Sequence, residues 1–254
     1  MKKIMKRIIM DTILPLIQRL GFDIVRLYPP DFSEKNIEIC NIVKPYTMTS
    51  PKRLNALIDA VNYVVKNKID GAFVECGVWK GGSIMTMALT LKDLGDEGRD
   101  LYLYDTFSGM SAPSDVDVSI RGEKAYGRFS QTKLSENSSN WCFSSLDEVK
   151  ENVFSTEYPK GKIHFIRGKV EDTIPTNLPN EIALLRLDTD WYESTKHEMT
   201  HLFPLLKQNG VLIIDDYGHW EGARKAIDEY ISDKNIHILL NRIDYTGRIA
   251  IKTG

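Results

Sequence analysis

Two apolar segments of the chain end in closely spaced carboxylates. Residues 182–187 run into Asp188 and Asp190, and residues 210–214 run into Asp215 and Asp216. Short apolar runs of this kind are typical of buried strands in a parallel sheet. Four acidic side chains at the tips of two such strands raise one another's pKa unless a cation compensates. Because hard divalent cations prefer oxygen ligands, the pattern predicts a metal-using enzyme.

The composition is that of an ordinary globular protein. The chain has 254 residues, of which 42% are hydrophobic and 27% charged, enough for one large α/β domain. A net charge of −2 gives no electrostatic reason to expect a nucleic-acid partner. The three cysteines, Cys40, Cys76 and Cys142, form no CxxC pair, so we expect neither a disulfide framework nor structural zinc, and a cytoplasmic location. No stretch approaches the roughly 20 apolar residues that a membrane span needs.

Strands and helices alternate from residue 71 onward. A helix is predicted before them at 50–65, with Ser50 as N-cap and Pro51 at its first position. This alternation predicts an α/β fold: a Rossmann-like, doubly wound, mostly parallel sheet whose ligands bind outside the carboxyl ends of the strands. The predicted strands are 71–75, 100–104, 162–166, 182–187 and 210–214, the predicted helices are 83–94, 144–155, 194–208 and 220–232, and 236–240 pairs with 248–252 as a C-terminal antiparallel hairpin.

Two segments do not fit the alternation. Residues 9–20 have apolar side chains at helical spacing and end at Gly21, which predicts an amphipathic helix. We expect it to pack on the domain or on a partner subunit, with binding to a membrane surface as the alternative. Residues 108–144 are too long for an ordinary connection, which favours a mobile or substrate-ordered lid over a passive insertion.

A glycine-rich turn lies between the first strand and its helix. It runs from Glu75 through Gly77 to Ser83 and lacks the GxGxxG pattern of dinucleotide-binding proteins. Glycines there let a ligand approach the backbone, and the helix N-terminus offers free amides. Glu75 is placed to bind a cationic amine, and Asp105, at the tip of the next strand, to accept both hydroxyls of a ribose. The alternative for each is that it only caps a helix or a turn.

These motifs resemble those of a known family. Glu75-x-Gly77 with Gly82-Ser83, and Tyr104-Asp105, are similar to the S-adenosylmethionine motifs of class I methyltransferases. Residues 46–50, 105–109, 187–190 and 215–220 together resemble the TylF/MycF/NovP group, which are Mg²⁺-dependent sugar O-methyltransferases of macrolide and aminocoumarin biosynthesis. The resemblance extends over about residues 31–251 and implies S-adenosyl-L-methionine and Mg²⁺ as cofactors.

The resemblance also implies a role for each matching residue. Asp190 would be the general base, and Asp188, Asp215 and Asp216 would bind the metal. Residues 47–50 would form part of a lid over the cofactor, so that 1–49 is a helical and lid extension and 50–254 the methyltransferase domain. The residues implied to bind the cofactor are Thr49, Glu75, Gly77, Ser83, Asp105, Thr106, Gly168, Val170 and Asp188.

Several alternatives remain open at this stage. Asp190, two residues from Asp188, is expected on the same side of an extended strand end, but its alternative role is to cap the next helix. Asp215 and Asp216 are either metal ligands or turn residues, and His219 is either a second base or a structural residue. The aromatic side chains Trp191, Tyr192 and Tyr217 either stack on a sugar or pack at the rim.

The predicted function is methyl transfer to the hydroxyl of a sugar, on a glycosylated metabolite, a polysaccharide or a nucleotide-sugar. The alternatives are a nucleotide-sugar-modifying oxidoreductase, against which the missing dinucleotide glycines count, and a non-catalytic binding module. Clustered carboxylates without an ion are costly, which disfavours the binding module. The apolar N-terminal helix, which has no assigned partner within the domain, predicts a homo-oligomer.

Overall fold

A parallel sheet forms the centre of the molecule. The computed structural model describes residues 9–136 and 138–253. Seven of the described strands form one sheet, in the order β5-β2-β1-β6-β7-β9-β8, and the other two pair as a separate hairpin. The strands are β1 Ala72–Cys76, β2 Leu101–Asp105, β3 Lys133–Ser135, β4 Ser138–Ser139, β5 Ile163–Arg167, β6 Ile182–Leu187, β7 Leu206–Ile214, β8 Asn241–Arg242 and β9 Arg248–Ile251.

Helices cover both faces of this sheet. They are α1 Leu14–Arg19, α2 Glu34–Val43, α3 Pro51–Lys66, α4 Gly82–Leu94, α5 Ala125–Thr132, α6 Leu146–Phe154, α7 Val170–Thr173, α8 Tyr192–His201 and α9 Glu221–Asp233. One apolar layer joins the sheet to α2, α3, α4 and α6, and the other joins it to α7, α8 and α9. Strands β5, β2, β1, β6 and β7 are mutually parallel, and β9 is antiparallel to β7. The predicted fold class is confirmed.

Local sequence signals fix the ends of several helices. Ser50 accepts a hydrogen bond from the Arg53 amide at the start of α3, and Ser145 accepts one from the Glu148 amide at the start of α6. Gly95 ends α4 in the left-handed conformation, with φ of 72°. Ser50 is thus the N-cap that the sequence predicts, and Ser145 and Gly95 are of the residue types that helix ends favour. Apolar side chains of α3 are buried from Leu54 to Val64.

Two predicted boundaries are wrong. The predicted helix 194–208 ends at His201, and a short 3₁₀ turn at Phe203–Leu205 leads directly into β7. Leu206 pairs with Ile182, so residues 206–208 extend the strand because an interior position in the sheet outweighs helical spacing. The C-terminal hairpin exists, but its first strand is β8 at 241–242 rather than 236–240.

The N-terminal segment is helical but does not pack on the domain. A π-helical turn at Ile9–Ile13 continues into α1, and the chain reverses at Gly21 as predicted. None of the side chains of α1 is buried, and Leu16 and Leu20 are 62% and 70% exposed. The expectation of packing on the domain is therefore wrong for the described residues, whereas a partner subunit is not tested. No helix among the described residues is long and apolar enough to cross a bilayer.

The long segment 108–144 has a small apolar core of its own. Ala125 and Phe129 of α5 pack with Trp141 against three residues of the main domain, Trp191, Trp220 and Ala223. The three tryptophan rings lie 5.1–6.2 Å apart, in tilted or edge-to-face arrangements that suit aromatic pairs. The described part of the segment is thus joined to α8 and α9 next to the acidic strand tips.

Candidate active site

The strand order creates a crevice at the carboxyl edge of the sheet. After β1 the chain moves outward to β2 and β5, and then returns to β6 on the other side of β1. Such a switch point leaves a crevice between neighbouring strand ends, where α/β proteins bind ligands. Glu75 of β1 and Arg186 of β6 are register partners there, and Asp188 and Asp215 directly follow β6 and β7.

Arg186 is the centre of this edge. Its side chain is only 2% exposed and forms ion pairs with Glu75, Asp188 and Asp215. The Nη1 to Asp188 Oδ2 and Nη2 to Asp215 Oδ1 distances are both 2.6 Å, and Nη2 also donates to Thr49 Oγ1 at 3.2 Å. The planar guanidinium offers five N–H donors in a fixed geometry, against three on a lysine ammonium, and can therefore bind several carboxylates at once. One buried cation therefore joins three strand ends and the residues before α3.

Sequence reasoning missed Arg186, although a signal was present. A single arginine stands within the apolar run of β6, and buried arginines are almost always paired with carboxylates.

Sequence reasoning also missed Arg53. It reaches from the first turn of α3 to Asp215 and lies 3.1 Å from Asp244, to which Ser50 also donates a hydrogen bond. Sequence spacing does not predict this contact, because it joins residues 162 positions apart.

Two adjoining cavities open at this edge. The β2-side cavity lies between the ends of β1, β2 and β5, and the β7-side cavity lies between α3, β7 and the 108–144 segment. Every predicted site residue lines at least one of these two cavities. Gly77, Asp105, Thr106, Gly168 and Val170 line the first, Thr49, Glu75, Ser83, Asp215 and Asp216 line the second, and Asp188 and Asp190 line both.

Asp105 holds the glycine turn in place. The amides of Val78 and Trp79 in the turn both donate to Asp105 Oδ2, at 2.7 and 3.0 Å, whereas no side chain caps the N-terminus of α4, where free amides are expected. Asp105 thus joins the turn after β1 to the end of β2, and burial raises its pKa. Gly77 has φ of 81°, and a Cβ there would lie 2.0 Å from the Asp188 carbonyl oxygen. Only glycine therefore allows the turn to approach the end of β6 this closely.

Asp190 is held in a strained turn. Its φ is 69°, and the Trp191 amide donates to the Thr189 carbonyl at 2.8 Å, which closes a γ-turn around it. The expected extended strand end is therefore wrong, since β6 stops at Leu187. Asp190 also does not cap α8. The Tyr192 amide donates a hydrogen bond to Asp117, from the 108–144 segment, at 2.8 Å instead. Asp190 is therefore not used as a helix cap, and it lines both cavities.

The carboxylates at this edge outnumber the cations. Among the described residues, only Arg53 and Arg186 form ion pairs with the five carboxyl groups here, which are Glu75, Asp188, Asp190, Asp215 and Asp216. Burial is the main cause that raises the pKa of Asp190 to about 7. Burial, together with the neighbouring carboxylates, raises the pKa values of Asp188 and Asp216 well above their usual range.

This donor set fits a divalent cation. Asp188, Asp215 and Asp216 each offer an oxygen within 4.8 Å of the others. Asp216 Oδ2 is buried and has no hydrogen-bond partner among the described residues. Both oxygens of Asp215 contact arginines, so Asp188 and Asp216 are the more accessible ligands. A hard cation bound through oxygen would offset most of the excess negative charge.

Of the remaining candidates, His219 lines a cavity, whereas the aromatic residues Trp191, Tyr192 and Tyr217 do not. His219 lines the β7-side cavity, 3.5 Å from the Tyr245 hydroxyl, and burial lowers its pKa. Trp191 is 2% exposed within the tryptophan cluster. The hydroxyls of Tyr192 and Tyr217 donate to glutamate and aspartate side chains of α9. None of these three aromatic residues lines either cavity, so their contacts fit the packing alternative.

Comparison with known proteins identifies the family of this chain. The family described as Macrocin-O-methyltransferase (TylF) matches residues 39–251. The chain belongs to the TylF family. It is 32% identical over 202 residues to demethyldecarbamoylnovobiocin O-methyltransferase of Streptomyces niveus, covering 80% of this chain and 74% of that protein. It is 30% identical over 202 residues to mycinamicin III 3''-O-methyltransferase of Micromonospora griseorubida, covering 80% and 76%.

Solved structures give the same result for the fold. The O-methyltransferase NovP superposes with a TM-score of 0.70 at 29% identity, covering 82% of this chain and 83% of NovP. Calicheamicin methyltransferase CalS11, at 16% identity and a TM-score of 0.59, shares the fold. This TylF-family chain therefore has the class I methyltransferase fold and is an S-adenosylmethionine-dependent O-methyltransferase.

Replacing Arg186 tests whether its charge holds the carboxyl edge together. Arg186→Met leaves Glu75, Asp188 and Asp215 without their shared cation, so we expect a loss of about 3–5 kcal/mol in the free energy of unfolding, measured by urea denaturation. Arg167→Met is the matched control, because Arg167 is exposed at the end of β5, and it should change stability by less than about 0.5 kcal/mol. Equal losses in the two variants would contradict the role of Arg186.

Proposed function

We propose that this protein is a Mg²⁺-dependent O-methyltransferase that transfers a methyl group from S-adenosylmethionine to a sugar hydroxyl. One observation carries the proposal: the two cavities meet at Asp188 and Asp190, so a cofactor in one and an acceptor in the other would face each other across these carboxylates. The related proteins named above act on novobiocin- and mycinamicin-type compounds by O-methylation. Family membership favours methyl transfer over the oxidoreductase alternative.

Most of the residues that would hold S-adenosylmethionine line the β2-side cavity, whereas Thr49, Glu75 and Ser83 line the adjoining β7-side cavity. Asp105 and Thr106 would face the ribose, and Gly168 and Val170 would lie beside the adenine. Glu75 Oε2 is buried without a partner, and a cationic amine would satisfy it. Burial raises the pKa of Glu75 to about 7 although Arg186 opposes this, so the amine would also help keep it ionised. When bound, S-adenosylmethionine supplies an electrophilic methyl group.

Asp190 is the residue we assign as general base. An acceptor hydroxyl in the β7-side cavity would lie within its reach, and its carboxylate would take the hydroxyl proton as the oxygen attacks. A pKa of about 7 suits this role, because a base with a pKa near the working pH combines availability with proton affinity. The γ-turn fixes the direction of the side chain before substrate arrives.

Asp188, Asp215 and Asp216 would hold Mg²⁺. The ion, when bound, lowers the pKa of a hydroxyl that it contacts and orients that hydroxyl. Arg53 and Arg186 keep Asp215 fixed between α3 and β6, while Asp216 offers its unpartnered oxygen. The protein itself contributes the position of the hydroxyl relative to Asp190, and such positioning accounts for a large part of many enzymatic rate gains.

Asp190→Asn tests the base. Asparagine keeps the shape of the side chain and tolerates the positive φ, but it cannot accept the proton. We expect kcat to fall roughly 10²–10⁴-fold while calorimetric binding of S-adenosylhomocysteine is unchanged. Asp115→Asn, at a side chain that is 99% exposed in the 108–144 segment, should leave kcat unchanged. Undiminished turnover by Asp190→Asn would show that Asp190 is not the general base.

Metal removal tests the acidic cluster. We expect EDTA to abolish methyl transfer and added Mg²⁺ to restore it, because the excess negative charge at the cluster needs a cation. Titration calorimetry should also show Mg²⁺ binding that Asp216→Asn weakens and that Asp233→Asn, at an exposed position on α9, does not change. Activity that is indifferent to chelation would exclude Mg²⁺ from the reaction.

We further propose that the protein is a homo-oligomer assembled through its N-terminal segment. Large apolar side chains between Ile13 and Leu27 are exposed by 42–70%, an apolar patch of the kind that marks interaction sites. We expect light scattering after size exclusion to give a multimer that Leu16→Asp dissociates. Leu134→Asp, at a leucine that is 65% exposed elsewhere, should not dissociate it. A wild-type monomer would refute this assembly.

The compartment and the domain boundary are also proposals. Cys40, Cys76 and Cys142 are free thiols, which supports a location in the reducing cytoplasm, and cell fractionation would test this location.

The proposed domain boundary near residue 50 separates the N-terminal extension from the methyltransferase domain. However, α2 contributes Ile39, Cys40 and Val43 to the domain core, and Tyr28 packs against it, so the core extends to residues before this boundary.

A further inference from the structure

The β7-side cavity has opposite charges at its two ends. Its floor carries the carboxylates, whereas Arg128 of α5 lies on its wall, in the 108–144 segment. The other arginine that lines this cavity, Arg53, is paired with Asp215 and Asp244. Arg128 forms neither a hydrogen bond through its guanidinium nor an ion pair with any residue that the structure describes. It is therefore the cavity's available cation within the described chain.

Arg128 is exposed to solvent, and its guanidinium rests on a fixed aromatic ring. Its guanidinium carbon lies 4.5 Å from the centroid of the Trp141 ring, a distance typical of cation–π contact. Trp141 is itself 6% exposed and packed against Trp191 and Trp220, at 5.5 and 6.2 Å between ring centroids. A guanidinium stacked on a fixed ring leaves its N–H donors, which lie in the guanidinium plane, available to a ligand. Less side-chain entropy is then lost when a ligand binds.

A second positive charge lies on the same side. Arg121, also in the 108–144 segment, is exposed and has no ion pair among the described residues. It is close enough to His219, which lines the cavity, for its charge to add to the effect of burial in lowering the pKa of His219. Glu123 of the same segment acts on His219 in the opposite direction, so Arg128 is the positive charge that the segment presents to the cavity, opposite the acidic floor.

We infer that the acceptor sugar carries an anionic group, a phosphate or a carboxylate, which Arg128 binds while the reacting hydroxyl faces the acidic floor. This inference rests on the proposed function. The planar guanidinium donates two parallel hydrogen bonds to either anion, and such charge-assisted bonds are about twice as strong as neutral ones. A neutral glycoside leaves this arginine without a partner. A nucleotide-sugar, a sugar phosphate or a uronic acid residue supplies one.

A panel of acceptors tests the inference and separates the sources of the anion. The arms are nucleoside diphosphate hexoses, hexose 1-phosphates, methyl hexuronides and neutral methyl hexosides, each assayed for kcat/KM with S-adenosylmethionine and Mg²⁺. We expect at least one anionic arm to exceed its matched neutral sugar by roughly tenfold or more. Preference for the phosphate arms identifies an activated sugar, and preference for hexuronides identifies an acidic glycan.

Substitutions connect the preference to Arg128. Arg128→Gln should abolish it, mainly through KM, and Arg128→Lys should retain part of it because the charge remains without the planar fork. Lys124→Gln removes a positive charge from the same segment at a side chain that is 70% exposed and does not line the cavity, and it should behave as wild type.

The outcomes distinguish this inference from the proposed function. Equal or better use of neutral hexosides by the wild type, or an unchanged preference in Arg128→Gln, overturns the anionic acceptor and leaves a sugar O-methyltransferase. Absence of methyl transfer to every sugar, with S-adenosylhomocysteine still bound in calorimetry, overturns the proposed function and this inference with it.

Discussion

The buried guanidinium of Arg186 is the interaction on which the rest of the site depends. An arginine inside a sheet is costly unless its donors are paired, and here they are distributed over Glu75, Asp188, Asp215 and Thr49. These partners come from the ends of three strands and from the segment before α3. Their common dependence on one cation joins the strand ends at the proposed active site. The remaining negative charge is what makes the edge suitable for a metal ion and a base.

Two further constraints give the edge its shape. The glycine turn approaches β6 so closely that a side chain at Gly77 would collide with the Asp188 backbone, and Asp105 holds the turn from the other side. The tryptophan cluster fixes the 108–144 segment against the N-terminal ends of α8 and α9, and Asp117 caps α8 in place of the nearby Asp190. As a result Asp190 is left to face both cavities. The segment also adds the positive wall that opposes the acidic floor.

The sequence predicts the sheet well because parallel strands and capped helices have local signatures. Ser50, Ser145 and Gly95 act at the helix ends where the patterns place them, since capping depends on only a few neighbouring residues. The errors arise where tertiary pairing decides. Residues 206–208 have helical spacing but join β7, because Leu206 finds a partner on β6. The N-terminal helix forms as predicted, yet none of its side chains is buried within the described residues.

The sequence by itself determined which chemistry was available: two pairs of carboxylates, a glycine turn and Asp105, all placed at strand ends because strand-helix alternation brings those ends to one edge. Only the tertiary structure decided how these groups share their charge. Arg53 and Asp215 are 162 positions apart, and Arg186 meets Glu75 through strand register. No local pattern could therefore show that two arginines hold Asp215 while Asp216 Oδ2 has no partner among the described residues. Long-range pairing also set Arg128 on Trp141. Electrostatic energies depend on distance and burial, and those are properties of the folded chain.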